Sequence, residues 1–348
     1  MGLWESVGAL VDRTADLDRL EVHRLQLIGA RRMRERGLAV PEELVAQERL
    51  AAVRELAFPA TLARVRDATD GPVLAMKGPV VAARWPDPAL RPYWDLDVIV
   101  ADPWATRRAL LDDGWVEVGE PELYRDIHHL RPLAFPQLPV AVELHHRPKW
   151  PDGLPGPRPE EILEAAVPGP VDGVLAPCDA HHAVMLAAHG WAHGPLRRVG
   201  DLVDVAAVGT SAEAAEVAAA WGCRRLWETT AAAADALAGA GRRPLSMRLW
   251  GRHLLAVRRR TVVEGHLTAW LAPGWVASSR RGRAVLGAVL GDLRPDGGEG
   301  WSRKLARARR AAPRALMPKE HYDATLPFEE REPVLAAARR DEQGDGDE

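Results

Sequence analysis

The segment RPYWDLDVIV, residues 91–100, sets Asp95 and Asp97 one residue apart at the head of an apolar run. In a strand successive side chains alternate between faces, so the two carboxylates share one face while Leu96 and Val98 share the other. With a rise of about 3.3 Å per residue, their oxygens can converge on a pair of divalent ions about 3.5–4 Å apart. Hard ions such as Mg²⁺ or Mn²⁺ take oxygen ligands of this kind and complete their shell with substrate phosphates. VAVELHHR, residues 140–147, supplies a third carboxylate: Ala141, Glu143 and His145 alternate with Val142 and Leu144, which face a core.

Further side chains with chemical potential lie on either side. Lys77 and Gly78 close a short apolar run, GPVLAMKGPVV (71–81), which lacks the G-x₄-G-K-[ST] order of a P-loop. Arg91 either clamps a phosphate or acceptor or pairs with Asp95 to brace the strand. Glu143 either joins the metal face or bridges to Arg147. His145 follows on the face of Glu143, placed to orient it, to touch a phosphate or simply to line a polar pocket. The pair His128 and His129 reads as structural. His182, His189 and His193 recur at i, i+7 and i+11 in HHAVMLAAHGWAH (181–193), a helical face that lines a cleft or packs inside the fold. HGWAH lacks the glutamate of a zinc-protease helix. Asp201 and Asp204, three apart on the following helix, read as an N-cap and a surface pair.

The elements that must position these groups follow from periodicity. Residues 3–69 read as helices, with Leu17, Leu20, Val22, Leu25, Leu27 and Ile28 at helical spacing before Gly37 stops the run, and a second helical run from Pro41 to Gly71. Next comes a strand ending at Lys77 and Gly78, a helix to Trp85, the Asp95–Asp97 strand, a helix over PWATRRALLDDG, and strands in WVEVGE, HHLRPLAF and VAVELHHR. This order predicts an α+β unit: a small mixed sheet with helices over one face, flanked by helical regions. The divisions are an N-terminal helical region (1–70), a catalytic core (71–150), a Pro/Gly-rich connection (151–176), a helical C-terminal domain (177–320) and a charged, disordered tail (329–348).

Composition sets outer bounds. The chain has 348 residues, 47% of them hydrophobic, enough to build a sizeable core. A net charge of −3 with both signs interspersed gives no support to a nucleic-acid partner. Arginine clusters at 258–260, 280–283 and 303–310 fit either a polyanionic acceptor or the solvated faces of amphipathic helices. Cys178 and Cys223 match no metal spacing and read as small buried hydrophobes in a reducing compartment. The leading residues MGLWESVGALVDRTADLDRL lack the features of a secretory signal, and no apolar run is long enough to span a bilayer, so the expected setting is the cytoplasm without a membrane partner.

Taken in order, the Gly-containing strand-to-helix turn, the acid-x-acid strand and the acid on a later strand resemble the nucleotidyltransferase superfamily, with its DNA polymerase β-like fold. More closely, LAMKGPVVAARWPDPALRPYWDLDVIV followed by VAVELHHR is similar to a bacterial family of uncharacterised nucleotidyltransferase-like proteins with K-G, R-P-x-x-D-x-D and E-L-H elements. The resemblance implies two Mg²⁺ or Mn²⁺ ions, with Asp95 and Asp97 as ligands to both and Glu143 as a ligand to the one nearer the acceptor. Lys77 and Gly78 would face the triphosphate, and Asp201 or Asp204 would serve as general base. It implies transfer of a nucleoside monophosphate from a nucleoside triphosphate to an acceptor, whether small molecule, peptide or protein, with release of pyrophosphate. This chain departs from the wider superfamily where Pro79 stands after Gly78 in place of a serine, so the hydroxyl that would contact a phosphate is missing and Lys77 supplies charge instead. Two other readings stay open: a nucleotide-binding module without turnover, and a D-x-D glycosyltransferase, which lacks the third acid in E-L-H order and carries a long α/β half before its motif.

Overall fold

The acid-bearing strand lies inside the sheet. In the computed structural model, which describes residues 2–14, 16–124, 127–276, 287, 291 and 300–318, the strands are β1 (Val73–Ala75), β2 (Asp95–Val100), β3 (Val116–Glu117), β4 (Leu133–Ala134), β5 (Ala141–His145), β6 (Val167–Pro168) and β7 (Val174–Ala176). They form one mixed sheet in the order β3-β4-β5-β2-β1-β7-β6, in which β2 runs antiparallel to β1 and parallel to β5. Alternation works as the sequence pattern requires. Leu96, Val98 and Val100 of β2 join Val142 and Leu144 of β5 in one buried cluster, while the acids point to the opposite face.

Helices meet the sheet on both faces, not on one as the element order suggested. On the Leu96 side lie Leu62 and Val65 of α4 (Glu42–Asp67) and Leu110 of α6 (Pro103–Asp112), each such buried aliphatic side chain worth about 1.5–3 kcal/mol. On the acid side, Leu74 and Ile99 pack in one core with Ala183 and Val184 of α8 (Asp179–His193) and Leu202 of α9 (Val199–Val208). That arrangement presses the helical half of the chain against the lower part of the acid-bearing face and leaves a cavity at its upper end. The short α5 (Pro79–Ala82) leads away from β1, and α6 starts with Asp102 accepting from the amides of Trp104 and Ala105, with Pro103 in the first turn.

Before the sheet lie α1 (Leu3–Asp12), α2 (Leu17–Val22) and α3 (Gln26–Glu35). The continuous periodicity across 17–28 had suggested one helix, but the chain breaks between α2 and α3, where Arg24 takes a left-handed φ of 57°. Tertiary bonds account for the break: the buried His23 ring accepts from the Val199 amide at 3.2 Å through Nδ1 and meets the Arg258 carbonyl at 3.0 Å through Nε2. Those bonds tie the N-terminal helices to the helical half.

Residues 151–176 also differ from the expected connection. They carry α7 (Pro159–Glu164) and the β6–β7 hairpin, and β7 adds to the sheet parallel to β1. The Pro and Gly content here is hairpin chemistry: Gly169 donates to the Val174 carbonyl at 2.8 Å, and a Cβ on it would lie 2.7 Å from that oxygen. Among the described residues the later helices include α10 (Ala212–Ala220), α11 (Arg224–Leu237), α12 (Leu245–Leu249), α13 (Arg252–Ala256), α14 (Val262–Val276) and α15 (Trp301–Ala315). Among the described residues no helix is long and apolar enough to cross a membrane. The tail at 329–348 and the arginine cluster at 280–283 lie outside the described residues. Arg258 and Arg260 of the first cluster are structural braces, the former on Glu264 at 2.6 Å and the latter on the carbonyls of Pro195 and Leu196. Both cysteines are free thiols, Cys223 buried and Cys178 half-buried.

Candidate functional site

The parallel register of β2 on β5 makes Asp97 and Glu143 Cα partners, with Ile99 opposite His145 and Asp95 opposite Ala141. The shared face therefore presents Asp97, Glu143 and His145 together. His145 Nε2 lies 3.1 Å from Asp97 Oδ1 and 3.5 Å from Glu143 Oε2. One ligand atom from each of the three falls within 4.8 Å of the others, and Asp97 is only 2% exposed. Asp95 lines the same cavity but stands outside this cluster, two residues along the strand and half-buried. The structure thus groups His145 with Asp97 and Glu143 where the D-x-D pattern had grouped Asp95. Instead of bridging to Arg147, Glu143 has ring nitrogens of His145 and His129 as partners, each at 3.5 Å.

Lys77, at the end of β1, sets its ammonium 2.7 Å from Asp97 Oδ1. Burial opposes ionisation of Asp97, but Lys77 and His145 outweigh it and hold the carboxyl well below the usual carboxylate range. Glu143 is also lowered, with burial outweighed chiefly by His145 and His129. For His145, burial disfavours the cation, yet the adjacent Asp97 and Glu143 carboxylates raise its pKa above the ordinary value. Although charges are close, Asp97 Oδ1 and both His145 ring nitrogens are buried without an aligned hydrogen-bond partner. Two ionised carboxylates and an imidazole, which would give up its proton to a metal, form a donor set that fits a divalent cation.

Arg91 and Asp204 are joined to each other. Arg91 Nε and Nη2 each donate to the Asp204 carboxylate at 2.8 Å, and Trp85 Nε1 donates to Oδ1 at 3.1 Å. The pair is buried, so Asp204 is no surface residue, and Arg91 pairs with it instead of Asp95. Burial disfavours the Arg91 charge, but Asp204 overrides that and raises the guanidinium pKa. Arg91 Nη1 also donates to the Gly78 carbonyl at 3.3 Å. Gly78 itself sits at φ 56°, ψ −119°, and a Cβ there would meet the Asp95 carbonyl at 3.2 Å, which explains a glycine at this turn.

Lys77, Gly78, Arg91, Asp95, Asp97 and Glu143 border a cavity of about 290 Å³ between the sheet and α8. Asp201 lines it from α9, and His189 and His193 line it from α8, with ring centroids 4.5 Å apart. His182, on the same helix, is buried below the cavity, and burial takes its pKa down to about 4. Several wall residues escaped the sequence reading. His129 and His128 reach the site because residue 129 bridges antiparallel to His145; a histidine pair just before a strand beside β5 was the available signal. Lys149, in a proline-flanked loop, and Arg24, at the break between α2 and α3, line the cavity with no local pattern to mark them.

Against known proteins, residues 11–239 match the model of a family described as uncharacterised nucleotidyltransferase. The chain belongs to that family. Neither a curated protein nor a solved structure shows a match. The family match runs from the end of α1 through α11, so it takes in the whole sheet, the Asp97–Glu143–His145 cluster and the α8 wall of the cavity. It agrees with the resemblance carried by the K-G, D-x-D and E-L-H elements.

Proposed function

We propose that this protein is a metal-dependent nucleotidyltransferase that moves a nucleoside monophosphate from a nucleoside triphosphate to an acceptor hydroxyl or phosphate, releasing pyrophosphate. The observation that carries the reading is the in-register pairing of Asp97 with Glu143, with His145 beside them, at the floor of a cavity in a chain of this family. Divalent ions, Mg²⁺ or Mn²⁺, held by Asp97, Glu143 and His145, with Asp95 on the same cavity wall as a ligand to a second, would supply Lewis-acid polarisation of phosphate oxygens and charge neutralisation. Lys77 adds a positive charge beside Asp97. Asp204 is spent on Arg91 and Trp85, so Asp201, on the cavity wall, is the carboxylate assigned to take the acceptor's proton. The Arg91–Asp204 pair acts by position, holding the Gly78 turn through its carbonyl.

A second reading, nucleotide binding without turnover, draws on Pro79, which lacks both the hydroxyl and the amide that would meet a phosphate. The glycosyltransferase reading has less support, because the residues before the sheet form α1 to α4. Incubating the protein with each nucleoside triphosphate, Mn²⁺ or Mg²⁺ and an acceptor panel, and following pyrophosphate, tests the proposal. Metal-dependent pyrophosphate release is the expected result; tight binding with no release in any combination favours the module.

A further inference from the structure

The turn after β1 is a poor phosphate cradle. Pro79 has no N–H, the Val80 amide is bonded to the Lys77 carbonyl at 3.2 Å, and α5 is only 4 residues long. Across the cavity stands a different arrangement. Lys77 Nζ lies 3.3 Å from His189 Nε2, the His189 and His193 rings are 4.5 Å apart, and Lys149 Nζ lies 3.0 Å from His193 Nε2. Lys77, His189, His193 and Lys149 thus form a continuous run of nitrogen donors from the acid cluster along α8 to the loop after β5.

The field along this run is positive. After burial, the groups that depress the His193 pKa are Lys149, Lys77, Arg24 and Arg197, all cationic. Of the groups that depress the His189 pKa, Lys77 and Lys149 carry standing positive charges. The cavity is therefore bipolar, with Asp97 and Glu143 at one end and a basic wall at the other. A polyphosphate bridging metal ions and a basic wall matches this division of charge.

We propose that Lys149, His193 and His189, continuing from Lys77, form the site for the β- and γ-phosphates of the nucleoside triphosphate, in place of the Gly78 turn. This rests on the nucleotidyltransferase reading. Neutral imidazoles donate one N–H each and Lys149 supplies the outer charge, so the leaving pyrophosphate departs along α8.

Inorganic tripolyphosphate, titrated calorimetrically in metal-free buffer, probes the wall apart from the metal site, and phenyl phosphate stands for an acceptor phosphomonoester. Lys149→Ala and His193→Gln should each weaken tripolyphosphate binding at least about tenfold, as expected for loss of one charge-assisted contact, while Lys149→Arg retains most of it. Mn²⁺ affinity should stay unchanged in all three. In the unaltered protein, tripolyphosphate should protect Lys149 from acetic anhydride, read by peptide mass, a result that does not depend on any variant folding. Unchanged tripolyphosphate affinity in both Lys149→Ala and His193→Gln, an equal loss for phenyl phosphate, or no protection of Lys149 overturns the assignment. Tripolyphosphate binding through Lys149 without pyrophosphate release from any nucleotide would uphold the wall and fail the transferase reading. Turnover with an unaltered nucleotide KM in Lys149→Ala would fail the wall alone.

Discussion

Asp97 and Glu143 face each other as Cα partners on adjacent parallel strands, and His145 reaches both carboxylates. A parallel pair cannot be joined by a tight turn, so α6, β3 and β4 lie between them in the chain; the site depends on a long-range register. A slip of one residue in that register would send Glu143 into the core.

The donor set carries a metal preference. With an imidazole beside two carboxylates, Mn²⁺ should bind more tightly than Mg²⁺. Calorimetric titration of His145→Ala should show Mn²⁺ affinity reduced at least about tenfold, given that even outer partners of metal ligands cost 10- to 100-fold. Equal Mn²⁺ affinity in His145→Ala and the unaltered protein would remove His145 from the ligand set.

The Arg91–Asp204 pair should reveal itself in stability. Removing one partner leaves a buried charge uncompensated, so Asp204→Asn or Arg91→Ala should lower unfolding free energy by about 3–5 kcal/mol in urea denaturation. Arg91→Lys should also be destabilising, because a lysine cannot make the two-pronged contact. A cost below about 1 kcal/mol for Asp204→Asn would contradict the positioning role.

Acid should loosen the joint between the N-terminal helices and the helical half. The folded His23 pKa is depressed to about 4 by burial, with Arg198, Arg260 and Arg258 facing it and His253 stacked at 5.9 Å. Its Nδ1 accepts from the Val199 amide, so protonation there would set two N–H groups against each other. The unfolded chain takes up the proton near pH 6.5 and the folded one only near pH 4. Stability from this group is thus fully present above about pH 6.5 and falls as pH drops towards 4, by about 3 kcal/mol. His182 and His253, also depressed by burial, add slopes of the same sign. Melting temperature followed from pH 7 to pH 4.5 should fall less steeply in His23→Gln than in the unaltered protein; parallel curves would refute the assignment.

Much of the sheet was legible in the sequence because strand alternation is a local signal. Asp95 to Val100 and Ala141 to His145 each carry it, and the intervening helix and short strands fall where turn residues and periodicity set them. What escaped was set by partners distant in the chain. The break at Arg24 depends on bonds from His23 to Val199 and Arg258, and Arg91 found Asp204, 113 residues away, in preference to the neighbouring Asp95. The β6–β7 hairpin was hidden because glycine and proline mark a tight hairpin and a linker alike. His129 and Lys149 entered the site through the cross-strand bridge and a loop path, neither of which leaves a periodic trace.

In the proposed function, Asp97 and Glu143 hold the metal around which nucleotidyl transfer takes place. Pyrophosphate release from nucleoside triphosphate and Mn²⁺, measured for the unaltered protein, Asp97→Asn and Glu143→Gln, tests it most directly. Metal-dependent release should fall by at least about 10²-fold in each variant while the fold survives. Undiminished release in Asp97→Asn would contradict it.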